Sequence, residues 1–547
     1  MRQLGATTVD KYAALKDKLR TTAFQERIPL EGGIELTGRC NFNCIHCFRP
    51  TDACEDLPAE TVARMVDEMV DCGCLYLTIT GGEPLLHRDF LEMHRYMRKS
   101  GLLTILFTNG SLVNEKVVEG LLEAPPIQVE VSVYGSSSET YRAITGHPEG
   151  YDRTLRAIEM LLEAGLSVHL KTVIIRQNHQ EFEDLRKMAE GLGVTWDYDR
   201  CINPKVDGNR KPLEYRLTPG EIVGAELSDL DSSSKWVNAF RRDSNSIEQG
   251  NHKVVCNAGT SVFVIDSLAR LHPCVLWRTH PISLEDISFK EAWNGPLADI
   301  SDLRLELPSE CVSCRLAGFC TVCPAWSFIE EGNRGIRLGF MCDLMRRRQE
   351  TFSGSATNVD LKKKWSGGKD ISSYRNWDGM GGCHDREFEA GGNVCRGDSG
   401  KPTSGETDGR RITPQGGNGS VSPVPGWPIT TDRGVMLQEG SSLQDGRVLS
   451  RPVTVSKSDI FTRGKNLKLR QIAGHSLLVP TGKSQGDSII ILNVGRVVAD
   501  VWNALGDKGL SVLEIERYLG FSNDKQESVM NAVGSLYAKD AIERLTN

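Results

Sequence analysis

Sixteen cysteines stand among the 547 residues of this chain, and several have the spacing of metal ligands. Three of them lie in one short segment, Thr37-Gly-Arg-Cys40-Asn-Phe-Asn-Cys44-Ile-His-Cys47. Thiolate is the preferred ligand of iron–sulfur clusters, and three thiolates in one loop can hold three irons of a cube. The fourth iron then stays open for chemistry. A zinc knuckle with a distant fourth ligand is the alternative, with His46 as a further candidate ligand.

A second set of seven cysteines follows in the middle of the chain, and four of its members form the pattern Cys-x2-Cys-x5-Cys-x2-Cys. Clustered cysteines in a cytoplasmic protein are more often metal ligands than disulfides. Because zinc ribbons use the same Cys-x2-Cys spacing, the pattern alone also fits a pair of zinc sites. The set consists of Cys256, Cys274, Cys311, Cys314, Cys320, Cys323 and Cys342.

The first cysteines follow the first of six short apolar runs, which alternate with helical stripes between residues 32 and 200. Residues Val62, Met65, Val66, Met69 and Val70 form the clearest stripe, with i, i+3, i+4 spacing. Six strand–helix units predict an α/β fold with a parallel sheet and outer helices. Six are too few for a closed eight-stranded barrel, so we expect a partial, open (β/α)6 barrel. The runs cover residues 33–36, 75–79, 102–107, 127–133, 168–175 and 194–198.

Further polar motifs stand at the ends of the predicted strands, where parallel barrels carry their chemistry. The second strand ends in Thr80-Gly81-Gly82-Glu83-Pro84, the third in Thr108-Asn109-Gly110 and the fourth at Ser132. Glycines permit a close backbone approach, and carbonyls with a carboxylate suit an ammonium group. Ordinary turn chemistry is the alternative interpretation of each motif.

The rest of the chain divides by composition. Residues 256–342 show little periodicity, which indicates a small domain folded around metal rather than around a large core. Eighteen of the 54 glycines lie between residues 366 and 450, and this favours a flexible linker. Strands at 477–479 and 489–492, with helices at 497–505, 512–518 and 527–537, predict a small C-terminal α+β domain. The expected boundaries are 1–29 for an N-terminal extension, 30–230 for the barrel, 231–350 for the cysteine-rich domain, 351–465 for the linker and 466–547 for the C-terminal domain.

Net charge and hydropathy also limit the classes of partner that the protein is expected to bind. The formal net charge is -7 and the pI is about 6.0, which gives no general attraction to nucleic acid. The apolar stretches are too short for a membrane span, and the N-terminus lacks a signal-peptide core. We therefore expect a cytoplasmic protein that binds neither nucleic acid nor membrane.

The Cys-x3-Cys-x2-Cys loop after the first strand resembles the signature of the radical S-adenosylmethionine (SAM) superfamily, over about residues 30 to 345. The resemblance implies a 4Fe-4S cluster on Cys40, Cys44 and Cys47 and reductive cleavage of SAM to a 5′-deoxyadenosyl radical. It also implies that the Gly81–Pro84 segment binds the methionine amino group. Other positions that the resemblance assigns to SAM are Asn109 and Ser132, facing the ribose and carboxylate, His46, against the adenine, and Lys171, near the carboxylate.

The second cysteine set resembles the SPASM extension of radical SAM peptide maturases. By that resemblance one auxiliary 4Fe-4S cluster takes Cys311, Cys314, Cys320 and Cys342, and a second takes Cys256, Cys274 and Cys323. This chain departs from the pattern at Ala269, where the family has glycine, and in the two-residue gap between Cys320 and Cys323. No fourth ligand for the Cys256 group is obvious, although Cys201 is a candidate.

The C-terminal residues resemble the PqqD-like fold, a winged-helix-like leader-peptide recognition domain. Such domains bind a leader peptide as an added strand at a sheet edge. A generic winged-helix DNA-binding module is the alternative, and the absence of a basic stripe speaks against it.

Together these resemblances imply a radical SAM enzyme that crosslinks or oxidises a ribosomally made precursor peptide, with flavodoxin or ferredoxin as electron donor. Two alternatives remain within the superfamily, a sulfatase-maturase-like enzyme acting on a protein side chain and an enzyme of cofactor biosynthesis. A third alternative is a non-catalytic binding protein stabilised by metal. A fused substrate segment at Cys383 and Cys395 is a further hypothesis.

Overall fold

Strand–helix repeats dominate the computed structural model of the chain. The structure describes residues 6–50, 54–243, 256–302, 308–312, 314–320 and 323–353, and beyond them residues 435–439, 460–463, 467–472, 475–481, 489–494, 510–511 and 542–545. The hypothesis about Cys383 and Cys395 and the three helices predicted after residue 496 lie outside the described residues. The same holds for the winged-helix character of the C-terminal domain.

An N-terminal helix precedes the barrel, in which strands and helices alternate as the sequence predicts. Each of the six apolar runs becomes a strand within one to two residues of its expected bounds. The elements are α1 (Ala6–Glu26), β1 (Glu31–Glu35), α2 (Ala59–Asp71), β2 (Tyr76–Thr80), α3 (Phe90–Lys99), β3 (Leu103–Thr108), α4 (Glu115–Glu123), β4 (Gln128–Ser132), α5 (Ser138–Thr145), α6 (Gly150–Glu163), β5 (Val168–Val173), α7 (Phe182–Leu192) and β6 (Thr195–Asp199).

The six strands β1 to β6 pair in parallel and in sequence order, which confirms the partial α/β barrel. The outer helices pack as their stripes predict: in α2 the buried residues are Val62, Met65, Val66 and Met69. Strand β1 has a second parallel neighbour from later in the chain, so the sheet continues past it.

That neighbour belongs to the cysteine-rich region, which follows the barrel. Its hairpin joins the barrel's sheet and produces the nine-strand order β6-β5-β4-β3-β2-β1-β7-β8-β9 in the described part of the chain. The elements are α8 (Pro219–Ser228), α9 (Leu230–Asp243), β7 (Val262–Ile265), β8 (Arg270–His272), β9 (Ile282–Ser283), α10 (Phe289–Asn294), α11 (Pro296–Asp302), α12 (Ser309–Val312), α13 (Pro324–Glu331) and α14 (Gly339–Phe352).

The beginning of this region therefore packs on the barrel's core, whereas the sequence indicated a domain built around metal alone. Phe263 of β7 packs against Phe289 and Trp293, with ring centroids 4.9 and 5.9 Å apart. Gly32 makes room for it, because a Cβ there would lie 2.3 Å from the Phe263 ring. The contact between Phe263 of β7 and Gly32 of β1 joins residues far apart in sequence. It produces no periodic pattern, so the sequence analysis did not predict it.

Two further sheets come from the C-terminal part, and two of their strands lie where the sequence predicted a linker. Their order is β10-β14-β13-β12 in one sheet and β15-β11-β16 in the other. Composition did not reveal Val435–Glu439 and Ile460–Arg463, because backbone pairing supplies the order of these strands, and the linker over residues 351–465 stays a prediction. The strands are β10 (Val435–Glu439), β11 (Ile460–Arg463), β12 (Leu467–Ile472), β13 (His475–Pro480), β14 (Ile489–Val494), β15 (Leu510–Ser511) and β16 (Ile542–Leu545).

The strands β12 and β13 pack against the amino ends of the barrel strands, together with α1. Arg470 of β12 is buried and donates hydrogen bonds to the carbonyls of Val70, Cys74 and Gly101 at 2.7–3.0 Å. An apolar cluster surrounds this contact, and its buried members include Leu15, Leu19, Leu30, Leu75, Tyr76, Leu103, Ile472, Leu477 and Val479. None of the described helices has both the length and the hydropathy that crossing a bilayer requires.

Candidate functional site

The loop with the first three cysteines leaves β1 at the carboxyl end of the strand, and protein contacts set its shape. Asp56 accepts hydrogen bonds from Thr37 Oγ1 and Arg39 Nη2, each at 2.5 Å. Further along, the backbone of Asn43 donates to Thr145 at 2.9 Å, which attaches the loop to the end of α5. The thiols therefore lie on a fixed backbone.

The three thiols influence one another electrostatically. Burial is the main reason that the pKa of Cys40 is raised to about 11, and the charges of Glu83 and Cys47 contribute in the same direction. Burial and the charges of Cys47 and Cys40 hold the pKa of Cys44 well above its ordinary value. Three thiolates of one loop repel one another unless a cationic group binds them, and the core of an iron–sulfur cluster is such a group. The donor set therefore fits a cluster bound by three cysteines. Among the described residues, no group of three His, Cys, Asp or Glu is placed to hold a single metal ion.

The glycine pair after β2 packs directly on this loop. Gly82 donates its backbone N–H to Thr37 at 2.8 Å, and Glu83 donates to Arg39 at 2.9 Å. A Cβ at Gly82 would lie 2.0 Å from the Arg39 carbonyl oxygen, and one at Gly81 would lie 2.5 Å from that of Thr37. Both glycines are therefore required by the contact between the two loops. Pro84 follows as the first residue of a short 3-10 helix, Pro84–Leu86.

The Glu83 carboxylate is fully buried and connects β2 with the end of β3. It accepts hydrogen bonds from Thr108 Oγ1 at 2.7 Å, from the backbone of Asn109 at 2.7 Å and from that of Leu85 at 3.2 Å. Burial raises the pKa of Glu83 to about 7 against these hydrogen bonds, which lower it. The sequence analysis expected this carboxylate to receive an ammonium group, and here it also positions the neighbouring strand end.

The Asn109 side chain connects the end of β3 to the cysteine loop. Its Nδ2 donates to Asn41 Oδ1 at 3.0 Å, and its Oδ1 accepts from the Ser111 hydroxyl at 2.7 Å. Asn41 Nδ2 in turn donates to Ser111 Oγ at 2.8 Å. The sequence analysis missed Asn41 and Ser111, although the position of Asn41 next to Cys40 was a usable signal.

His46 is buried beside Tyr134, which follows β4 by two residues. The two ring centroids lie 5.2 Å apart, and His46 Nδ1 has no hydrogen-bond partner in the described structure. Burial lowers the pKa of His46 to about 4, so the ring is neutral near pH 7. A hydrogen bond from Tyr134 partly offsets the raised pKa of Cys44. Tyr134 is a second residue that the sequence analysis missed, and Ser132 lies at the adjacent end of β4.

Lys171 of β5 lies next to a carboxylate. Its Nζ forms an ion pair with Glu130 at 2.9 Å and lies 4.9 Å from the centroid of the Phe107 ring. The expectation that Lys171 meets the SAM carboxylate stays a prediction, and within the protein the lysine charge is balanced by Glu130.

A cavity of about 260 Å³ lies at the carboxyl end of β1, beside the cysteine loop. Glu35 in its wall forms ion pairs with Arg49 at 3.4 Å and Arg278 at 2.6 Å. Arg49 follows the first cysteines and Arg278 follows Cys274, so Glu35 connects the two cysteine regions. The cavity gives a small molecule or side chain a place beside both.

The second set of cysteines shows two sets of electrostatic neighbours. Burial, followed by the charges of Cys342, Cys311 and Cys314, raises the pKa of Cys320 to about 12. Burial and the charges of Cys274 and Cys256 raise the pKa of Cys323 to about 12 in the same way. Their role as ligands stays a prediction.

Cys201 follows β6 and is surrounded by charged residues. Burial and the charges of Asp199 and Glu226 raise its pKa, while those of Arg348 and Arg216 lower it. Its suggested role as fourth ligand of the Cys256 group stays a prediction.

Comparison with known proteins gives this arrangement a class. Residues 34–189 match the model of the radical SAM superfamily. The segment runs from Ile34 in β1 to Ala189 in α7 and contains the cysteine loop, the glycine pair and Asn109. The chain therefore carries a radical SAM domain and is an enzyme of that type. Such enzymes use a 4Fe-4S cluster and SAM.

Three relatives show how far the similarity reaches. The AdoMet-dependent heme synthase of Methanosarcina barkeri is 25% identical over 55% of this chain and 92% of that protein. The antilisterial bacteriocin subtilosin biosynthesis protein AlbA of Bacillus subtilis is 27% identical over 49% of this chain and 60% of that protein. The PqqA peptide cyclase of Rhizobium meliloti is 32% identical over 28% of this chain and 42% of that protein. This chain thus matches about half the length of the two peptide-related proteins. Among solved structures, Streptococcus suis SuiB is 18% identical over 60% of this chain and 82% of that chain, with a TM-score of 0.46.

Proposed function

We propose that this radical SAM enzyme modifies a ribosomally made peptide, using a 4Fe-4S cluster held by Cys40, Cys44 and Cys47. The observation that carries the proposal is the loop itself, in which three mutually interacting thiols are fixed at the carboxyl end of β1. When bound, the cluster and SAM supply a 5′-deoxyadenosyl radical that takes a hydrogen atom from the substrate. The protein's part is to hold and orient these groups and to exclude water.

The residues around the loop have distinct parts in that work. Gly81 and Gly82 let the backbone after β2 come close to the cysteine loop, and this segment would receive the SAM ammonium group on backbone carbonyls and the Glu83 carboxylate. Asn109 keeps the end of β3 against the loop through Asn41, and Ser132 would face the ribose of SAM. The neutral ring of His46 would lie against the adenine, a role that its burial and its unpartnered Nδ1 support.

The remaining cysteine groups would hold auxiliary clusters. One cluster would take Cys311, Cys314, Cys320 and Cys342, and another would take Cys256, Cys274 and Cys323, which agrees with the mutual electrostatic influence of these thiols. A 4Fe-4S cluster held by only three cysteines would have one iron without a protein thiolate, and substrate would be able to bind there. Reduced flavodoxin or ferredoxin in the cytoplasm would supply the electrons.

Two observations favour a peptide over a small cofactor as the substrate. By their names, AlbA takes part in the biosynthesis of a bacteriocin and the PqqA cyclase acts on a peptide, and both are similar to part of this chain. In addition, this chain has a C-terminal sheet, and an extended peptide binds naturally to a sheet edge.

The test of the radical chemistry is production of 5′-deoxyadenosine by anaerobically reconstituted, reduced protein given SAM. The triple variant Cys40→Ala, Cys44→Ala, Cys47→Ala should form at least about 100-fold less and should lose roughly one cluster of iron. Cys54→Ala is the matched control, because Cys54 lies outside the loop and is exposed. Iron-replete protein that makes no 5′-deoxyadenosine, or protein that purifies with zinc instead of iron, would refute the proposal.

The test of the substrate is co-expression with short peptides encoded beside the gene, followed by mass spectrometry. Loss of two hydrogens from one peptide, absent with the triple variant, is the expected result. The second candidate is a cofactor-biosynthesis enzyme, which the 92% coverage of the heme synthase favours. It predicts instead that a tetrapyrrole, and none of the peptides, is consumed together with SAM.

A further inference from the structure

Two strands of the C-terminal sheet, β12 and β13, contact the barrel, and β14 is paired on the far side of β13. Arg470 of β12 donates to three barrel carbonyls, and Ile472, Leu477 and Val479 lie in the apolar cluster with the barrel strands. Strands β12 and β13 are thereby attached to the amino end of the barrel. Counted from β12, β14 is the third strand of this sheet. The edge of β14 that faces away from β13 is where a further strand can pair.

That edge is already paired with a segment from the same chain. Strand β10 lies beside β14 in parallel, with Val435 opposite Ile489 and Glu439 opposite Asn493 at the two ends of the register. The strand also lies against α1. In sequence it is a short run, Val-Met-Leu-Gln-Glu, with a glycine on each side, inside the glycine-rich stretch. All five residues of β10 pair with β14, although the segment lies in a glycine-rich stretch. The β14 edge therefore accepts an added strand.

We propose that Val435–Glu439 is a built-in occupant of a strand-binding edge on β14, and that an extended peptide of another molecule binds there by taking its place. The class of partner follows from the pairing, because main-chain hydrogen bonds recognise an extended backbone and tolerate many side chains. We take this partner to be the leader of a precursor peptide, and this identification rests on the proposed function.

The built-in strand has two consequences for binding. It covers an edge that would otherwise pair with other chains and aggregate. It also competes with an incoming peptide, and its effective concentration at the edge is high because it belongs to the same chain. A peptide in solution therefore binds weakly until the internal strand leaves the edge.

The position of the edge also bears on the partner's length. The sheet is attached at the amino ends of the barrel strands, whereas the cysteine loop lies at the carboxyl ends. The six-residue strand β3 spans roughly 20 Å between these ends at about 3.3 Å per residue. A peptide held at the edge needs at least about six extended residues before the one that reacts.

The experiment uses the segment itself as the probe. A fluorescein-labelled synthetic peptide carrying residues 433–441 is titrated with the full chain, and fluorescence anisotropy is measured. In the test variant Val435–Glu439 is replaced by alternating glycine and serine, which keeps the chain length. We expect this variant to bind the peptide at least about ten-fold more tightly than the unchanged chain. A peptide with proline at the position of Leu437 should bind neither, since proline lacks the N–H that a strand needs.

A second variant covers the case in which the replacement disturbs the sheet. Met436 and Ile490 are partners in the register, so Met436→Cys with Ile490→Cys should form a disulfide under mild oxidation. The oxidised chain should not bind the peptide, and reduction should restore the binding of the unchanged chain. Met436→Cys with Asn493→Cys is the matched control, because these residues are not partners.

The proposal is overturned if the glycine–serine variant binds the peptide no better than the unchanged chain, or if the proline peptide binds equally well. It is also overturned if the Met436–Ile490 pair cross-links no faster than its control. Because these measurements need neither iron nor SAM, they are separate from the test of the radical chemistry. Peptide binding without 5′-deoxyadenosine would refute the proposed function alone.

Discussion

One fully buried carboxylate holds the carboxyl end of the barrel, whereas one buried guanidinium holds the amino end. Glu83 accepts hydrogen bonds from residues at most 26 positions away. Arg470 donates to carbonyls that are 369 to 400 positions away. At the first end, a short segment of sequence builds the site by itself. At the second, the end of the barrel is completed by strands that arrive much later in the chain.

The two ends also differ in the kind of contact. Around Glu83, backbone N–H groups and the Thr108 hydroxyl bind a carboxylate next to the glycine pair. Around Arg470, three carbonyls are surrounded by an apolar cluster of strands and helix. Tight polar contact suits loops that must position a cofactor, while apolar burial suits an attachment that must keep a sheet in place. The variants below test this difference, in order of decreasing effect.

Gly82→Ala should have the largest effect, because the new methyl group would lie 2.0 Å from the Arg39 carbonyl oxygen. Neither backbone can move without separating the glycine loop from the cysteine loop. We expect a loss of more than about 3 kcal/mol in the free energy of unfolding, measured with urea, and a loss of bound iron.

Gly191→Ala is the matched control for that variant. Gly191 lies in α7 with no atom within 4 Å of the new methyl group. The same substitution should there stabilise the protein by about 0.5–1 kcal/mol, since alanine is the better helix former. Equal stability of the two variants would show that the close approach at Gly82 is not needed.

Arg470→Met should have the next largest effect, a loss of about 2–3 kcal/mol in the free energy of unfolding. The change leaves the carbonyls of Val70, Cys74 and Gly101 without a buried donor. Hydrogen exchange should become faster in β12 and at the amino ends of β2 and β3. Lys468→Met removes an exposed charge from the same strand and should change the stability by less than about 0.5 kcal/mol. If the two variants behave alike, Arg470 does not attach the sheet.

Glu83→Gln should have a smaller effect that depends on pH. An amide has only one acceptor oxygen, so one of the three donors around Glu83 loses its partner, at about 1–2 kcal/mol near pH 5. Burial raises the pKa of Glu83 from about 4.5 when unfolded to about 7 when folded. The wild-type protein therefore loses stability as pH rises through this window, and glutamine does not.

The difference in stability between wild type and Glu83→Gln should accordingly shrink from pH 5 to pH 8 in urea titrations of the metal-free protein. A difference that grows over this range would contradict the assignment of a raised pKa. Thr108→Val is a useful companion, because it removes one donor to Glu83 without altering the charge.

The contrast between the ends explains which parts of the molecule could be predicted from the sequence. The strand–helix alternation, the stripe on α2 and the cysteine loop are encoded within a few neighbouring residues, and each was predicted. The cysteine groups around Cys320 and Cys323 were inferred from a family resemblance, and their role as cluster ligands stays a prediction. Their partners come from segments that only the fold brings together.

Contacts between distant segments left no such pattern. Arg470 appeared as one of many charged residues in a strand, and nothing in its neighbourhood indicated burial against the barrel. Strand β10 was hidden in a glycine-rich stretch because its order comes from pairing with β14. Asn41 and Ser111 were missed for a related reason, since each contributes through a side chain on another loop.

Arg95→Ala should have the smallest effect and sharpens the comparison of charged contacts. Arg95 pairs with Glu123 at 2.6 Å, which is as short as the contacts of Arg470, but the two side chains are 37% and 60% exposed. Water already solvates both charges, so the loss in the free energy of unfolding should stay below about 0.5 kcal/mol and vanish at high salt. The loss in the free energy of unfolding should then be several-fold larger for Arg470→Met than for Arg95→Ala at similar contact distances. Only the loss of Arg470 leaves buried carbonyls without a donor. A cost above about 1 kcal/mol for Arg95→Ala would mean that distance, and not burial, decides what these arginines contribute.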